Sequence, residues 1–147
     1  MRALIQRVTK ASVDIDGDSF NSINQGLVVF LGIGKNDSIL DVEYLINKIL
    51  KLRIFEDDKN KMNFSIQDFN LDILMISQFT LYANCSKGNR PSFLDSAKPK
   101  LAEKLYDTFV NNLKKRKINV KTGKFGANMN IQLINQGPVT IMLDSKL

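Results

Sequence analysis

The sequence predicts an α+β fold: a curved mixed or antiparallel sheet, or a small β-barrel, with two main helices packed on it. Three observations predict it. Six or more segments are rich in Ile, Val, Leu and Thr and are bounded by turn residues. Two stretches carry apolar residues at helical spacing. The last strand-like segments read as a hairpin, which makes the sheet mixed or antiparallel. The 147 residues, 44% hydrophobic and 24% charged, fit one domain over residues 1–147, large enough to bury a core without disulfides or metals.

Arg2 to Ile15 is rich in Ile, Val and Thr, and Asp16-Gly17-Asp18 then supplies turn chemistry, so a strand runs into a hairpin. Gly26 to Gly34 is a nearly continuous apolar run between glycines, which suits a strand covered on both faces. Asp37-Ser38 offers an N-cap, with Asp41 three residues after Ser38 in a capping-box-like position. Ile39, Val42, Leu45, Ile46, Ile49 and Leu52 follow at helical spacing, which predicts an amphipathic helix from about Ser38 to Lys51. Glu56 to Lys61 is a polar turn that lacks the spacing and the Gly of an EF-hand loop. Leu71 to Ala83 predicts a second β-run, and Lys87 to Phe93 a loop. Pro99 opens a helix carrying Leu101, Leu105, Tyr106, Phe109 and Leu113, with Lys and Arg at its C-terminal end, where cations complement the helix dipole. The tail predicts strands at Ile118–Lys121, Met129–Ile134 and Val139–Leu143, with a turn at Asn135–Gly137.

Histidine is absent, and Cys85 is the one cysteine. The chain therefore has no Ser-His-Asp triad, no Cys-His dyad, no imidazole base, no His-ligated zinc and no internal disulfide or thiolate cluster. No metal and no cofactor is expected. Cys85 reads as structural or incidental, because no His is present to lower its pKa. With 21 Lys+Arg against 15 Asp+Glu, the net charge is +6. That favours anionic partners, nucleic acid first. Between Lys98 and Lys124 nine cations face only Glu103 and Asp107. A one-signed patch is one reading of that stretch, and a solvated lysine-rich surface is the other. Polar residues interrupt the first segment too early for a signal-peptide core. No apolar run approaches the roughly 20 residues of a membrane span. With a lone thiol as well, a cytoplasmic location is expected.

Four segments can carry chemistry. Ser77-Gln78-Phe79-Thr80-Leu81 ends an apolar strand by delivering two hydroxyls and an amide together. Asn135-Gln136-Gly137-Pro138-Val139-Thr140 reads either as an ordinary turn or as a cis Gly-Pro bond that aims two carbonyls in a fixed direction. Lys87 to Phe93 joins two cations with Gly and Asn on a loop, suited to phosphate or simply to water. Lys124 to Met129 sets Phe125 and Met129 beside Gly126, either as core or as an apolar shelf for a base.

Taken together, these segments resemble one family, the D-aminoacyl-tRNA deacylases. Met1 to Val8 resembles the family's opening, Ser77 to Leu81 its first motif and Asn135 to Thr140 its second. Arg90 to Phe93 and Gly123 to Met129 also fit, in the right order and over essentially the whole chain. The resemblance implies a homodimeric enzyme that hydrolyses the ester between a D-amino acid and the 3′-terminal adenosine of tRNA, and that also acts on mischarged glycyl-tRNA. It implies that Ser77, Gln78, Phe79 and Thr80 form the reaction side of the pocket, and that Phe125 and Met129 flank the adenosine. Gly137 and Pro138, joined by a cis bond and oriented by Arg7, would enter the partner subunit's pocket and reject L-aminoacyl-tRNA. Gln136 stands where Asp is common in the family, and Asn84 where Asp often follows the first motif. Neither change removes a proposed catalytic group.

Without a base near neutral pH, two routes remain for the ester. Thr80 acts as an activated nucleophile, or the ribose 2′-hydroxyl orients or activates water while N–H groups near Phe79 and Thr80 hold the oxyanion. The second explains a site without titrating side chains. A non-catalytic RNA-binding domain is the alternative from a different class, and a general Thr- or Ser-based esterase is a third.

Overall fold

A computed structural model describes residues 1–147. Its first strand, β1 (Arg2–Ile15), turns through Asp16 and Gly17 into β2 (Asp18–Ile23). Asp16 and Gly17 both take positive φ, 53° and 90°, as a tight hairpin turn requires. β3 (Gly26–Gly32) pairs antiparallel with the first half of β1, and β2 with the second half. β3 is the doubly covered strand that its apolar run predicts. It pairs in parallel with β6 (Asp72–Ser77), which pairs in parallel with β7 (Val120–Thr122). The last strand, β8 (Met129–Asp144), lies antiparallel along the whole of β1 on its other side. Asn21 Nδ2 donates to Thr122 O at 2.7 Å. That bond draws β2 toward β7 and curls the mixed sheet into a near-barrel.

Two helices cover one face. α1 (Ile39–Lys51) starts at the expected capping box, Ser38 with Asp41. Pro99 opens α3 (Pro99–Lys115) at the position where a missing N–H costs nothing. Their buried stripes, among them Leu45, Ile46, Ile49, Leu105 and Phe109, meet Ile5, Leu27, Val29, Leu31, Ile73 and Met75 of the sheet. The opposite face of the same strands, with Val28, Leu74 and Ile76, joins Val8, Val13 and Ile23 in a smaller cluster inside the curl. Between α1 and β6 in the chain come a small hairpin, β4 (Phe55–Glu56) and β5 (Met62–Phe64), and a single helical turn, α2 (Ile66–Phe69). Asp57 builds the polar turn of that hairpin by accepting hydrogen bonds from the backbone of Lys59 and Lys61.

Three expectations are corrected. The β-run expected through Ala83 stops at Ser77, and Phe79–Tyr82 is a 3-10 turn. β3 ends at Gly32, so past the bond from Gln78 N to Leu31 O (2.8 Å) there is no strand left to pair with. The terminal hairpin is also absent. β1 is long enough to template all of β8, so the chain continues through residues 135–139 instead of reversing. The register passes from Val8↔Asn135 to Gln6↔Thr140, and the intervening residues Gln136 to Val139 loop out opposite Arg7 alone. The Gly137–Pro138 peptide in that excursion is cis. The strand expected at Ile118–Lys121 runs from Val120 to Thr122 instead.

Candidate active site

A cavity of about 1030 Å³ opens beyond the end of β6, walled by the segment leading into α3, the first turn of α3 and the chain entering β8. The sheet places Ser77 at its edge, because β6 pairs with β3 through Leu31↔Ser77. Gln78 and Phe79 continue the wall. Phe79 is 57% exposed, and its ring meets Phe93 edge-on at 4.9 Å. Phe125 and Met129 line the facing wall. Met129 lies where a side chain on Gly123 would be. Phe125 packs beside Tyr106, centroids 5.8 Å apart, and Tyr106 donates its hydroxyl to Met75 O at 2.8 Å. Burial, with the Asp107 charge nearby, pushes the Tyr106 phenol far above its usual pKa, so it acts as a neutral donor.

Thr80 is exposed and does not line the cavity. Gln78 Nε2 donates to its hydroxyl oxygen. That contact is an amide, which cannot take a proton at neutral pH. The backbone N–H groups of Phe79 and Thr80, at the start of the 3-10 turn, have no acceptor in the chain. No carboxylate lines the cavity, and its two cations are Lys35 and Lys98. Lys35 is held by Asp95 at 2.7 Å. The arrangement supplies main-chain donors and apolar walls, and no general base.

Several residues that fix this turn were not singled out in the sequence. Arg2 donates from Nη1 to Leu81 O and from Nε to Asp144 Oδ2, both at 2.9 Å, and its guanidinium lies 4.6 Å from the Tyr82 ring centroid. Tyr82 donates to Asp37 Oδ2 at 3.3 Å. Burial and the Asp37 and Asp144 charges raise its phenol far above the usual range. Asp37 also accepts from Gly34 N at 2.6 Å and from the Met1 amino group at 2.8 Å. A Cβ on Gly34 would lie 2.7 Å from the Tyr82 hydroxyl, and one on Gly32 would lie 3.0 Å from both Gln78 O and Leu81 Cβ. Gly34, which closes the apolar run, was the visible trace of this packing. A lone arginine at position 2 carried no signal.

The second motif lies elsewhere. Arg7, 3% exposed, donates to Ile54 O at 2.6 Å, to Gln136 O at 3.3 Å and to Glu56 Oε1 at 3.0 Å. Asn135 Nδ2 closes the neck of the excursion by donating to Arg7 O (3.0 Å) and Val139 O (2.9 Å). Gly137 and Pro138 are exposed at its tip. Three strand spacings and about four residues of strand separate this loop from Ser77, which is roughly 20 Å. The structure thus brings Ser77, Gln78, Phe79, Phe125 and Met129 to one cavity. It gathers Arg7, Gly137 and Pro138 at another place on the same protomer.

The architecture is that of a known class of solved structures. It superposes with a TM-score of 0.91 on the c-Myc DNA Unwinding Element Binding Protein, at 42% identity and 98% coverage of each chain. A structure described as a probable eukaryotic D-amino acid tRNA deacylase shares the fold, with a TM-score of 0.83 and 97% coverage of each chain at 18% identity. Residues 4–144 match the family described as D-Tyr-tRNA(Tyr) deacylase, and the chain belongs to it. It is 57% identical to the D-aminoacyl-tRNA deacylase of Halothermothrix orenii, covering 99% of this chain and 97% of that one. The Thermosipho melanesiensis enzyme of the same name is 56% identical, covering 99% and 98%. The Aquifex aeolicus enzyme is 53% identical, covering 99% of each. The chain is accordingly an enzyme, a hydrolase of the D-aminoacyl-tRNA deacylase class.

Proposed function

We propose that the chain, working as one domain over residues 1–147 and as a homodimer, cleaves the ester between a D-amino acid and the 3′-terminal adenosine of tRNA. Free D-amino acid and tRNA are released, and mischarged glycyl-tRNA is cleaved as well. The observation that carries the reading is a cavity with no titrating base beside two unused main-chain donors. Phe125 and Met129 flank the adenosine. Ser77, Gln78 and Phe79 form the reaction side, and the Phe79 and Thr80 N–H groups receive the oxyanion. The ribose 2′-hydroxyl, adjacent to the ester, orients or activates the attacking water. Thr80, held by an amide instead of a base, is not the nucleophile.

Selection is made by a second copy, whose Gly137 and Pro138 carbonyls enter the pocket, accept the amino group of a D-residue and block an L side chain. Glycine has no side chain to block. Support comes from the roughly 20 Å between the two motifs along the sheet of one protomer, and from Phe79 and Leu94, 57% and 84% exposed at the cavity rim. No helix is long and apolar enough to cross a membrane, and a tRNA substrate favours a cytoplasmic location.

The test is single-turnover hydrolysis of D-tyrosyl-, L-tyrosyl- and glycyl-tRNA. The D and glycyl esters are cleaved and the L ester survives. A binder without activity leaves all three intact, and a general esterase spares none. Thr80→Ala stays within about tenfold of wild type, whereas a 2′-deoxy terminal adenosine slows hydrolysis by about 10²–10⁴-fold, the usual worth of a positioned acid or base. The opposite pair of results assigns the chemistry to Thr80 and overturns the RNA-assisted route.

A further inference from the structure

Next to the cavity, and sharing Phe125 with it, a polar groove of about 390 Å³ runs between α3 and β7. One wall is the exposed face of α3 with Glu103, Asp107 and Lys114, and the other is Thr122 to Lys124. Of the nine cations between Lys98 and Lys124, only Arg116 is ion-paired, with Glu43 at 2.6 Å. Helix stability does not account for the rest. Lys114 and Lys115 suit the C-terminal end of α3, but Lys98 and Lys100 sit at its N-terminal end, where the dipole disfavours cations. Lys100 and Lys104 are like charges one turn apart. Glu103 and Asp107 make neither an ion pair nor a hydrogen bond, although lysines surround them. Unpaired cations beside unpaired carboxylates match a ribose-phosphate strand: ammonium groups meet phosphates, and carboxylates accept from ribose 2′-hydroxyls.

We infer that the backbone of the acceptor end, immediately behind the terminal nucleotide, lies in this groove. Lys114 and Lys124 contact its phosphates, and Glu103 and Asp107 its ribose hydroxyls. The inference rests on the reading of Phe125 as a wall of the adenosine site. A strand leaving that site past Phe125 enters the groove directly.

The test is the double variant Lys114→Gln/Lys124→Gln, assayed on D-tyrosyl-tRNA and on D-tyrosyl-adenosine, which has no backbone to reach the groove. Both lysines are exposed, so folding is unaffected, and hydrolysis of the nucleoside ester reports it. For the tRNA, KM rises at least about fivefold and kcat holds. The slope of log KM against log salt falls by about 1.4, or ~0.7 for each single-strand phosphate that is no longer neutralised. Lys59→Gln/Lys61→Gln, on the β4–β5 turn, alters hydrolysis of neither substrate. An unchanged tRNA KM and salt slope, or an equal loss on both substrates, overturns the groove and leaves the adenosine site standing. A wild-type enzyme inert toward the nucleoside ester sinks the adenosine site and the groove together.

Discussion

Replacing Arg7 by Met keeps most of the aliphatic stem and deletes the guanidinium. The wild-type group reaches two carbonyls, Ile54 O at 2.6 Å and Gln136 O at 3.3 Å, and the Glu56 carboxylate at 3.0 Å. A hydrogen bond from a charged donor contributes about 1.5–3 kcal/mol, the long bond to Gln136 less. Glu56 is 45% exposed, so its ion pair adds at most about 1 kcal/mol. Against this, Met avoids the cost of burying a charge. The net loss is about 3 kcal/mol. At ~2.1 cal/mol/K per residue, 147 residues translate that loss into a melting temperature about 10 °C lower. Arg7→Lys does not rescue it, because one ammonium cannot span three acceptors set in a fork. Thermal unfolding followed by circular dichroism, at matched protein concentration, measures the shift. A shift below about 2 °C for Arg7→Met, or full rescue by Lys, refutes the claim that the fork organises the base of the 136–139 excursion.

Two other perturbations follow from the same geometry. In Gly32→Ala the new methyl lies 3.0 Å from Gln78 O and Leu81 Cβ, neither of which is a flexible chain end. The 3-10 turn shifts, and kcat/KM for D-tyrosyl-tRNA falls about 10- to 100-fold, as small misplacements of reacting groups do. Asp41 gives an acid-sensitive contribution. Burial raises its pKa, but the Lys146 ammonium, the Ser145 hydroxyl and the Ser38 backbone and hydroxyl outweigh that and hold it well below the usual range. A depressed folded pKa stabilises fully above the unfolded value of about 3.9 and is lost as pH falls toward the folded one, so the gap between the urea midpoints of wild type and Asp41→Asn is constant near neutral pH and narrows steadily as pH is lowered below about 4.

What could be read in the sequence was what local chemistry dictates. The capping box at Ser38, the Pro99 helix start, the Asp16-Gly17 turn and the doubly buried β3 each depend on residues within a few positions, and each formed as expected. Ser77 to Phe79, Phe125 and Met129 were singled out and share a cavity. The misses that shape the two motifs were long-range. Whether residues 135–139 reverse or continue is decided by the length of β1, far away in sequence, and not by the Gly-Pro step. Whether residues 78–82 extend or coil is decided by where β3 ends and by Arg2 capturing Leu81 O. Neither partner leaves a pattern near the segment that it controls.

The pairing of β1 with β8 reaches beyond the finished fold. On the ribosome the opening fourteen residues can join β2 and β3 early, but their other flank finds its match only after residues 129–144 have emerged. Until then an extended, apolar edge of the nascent chain stands bare to its neighbours. Contacts so distant in sequence are slow to form. Crowding of unfinished chains is therefore the hazard that this topology carries from birth.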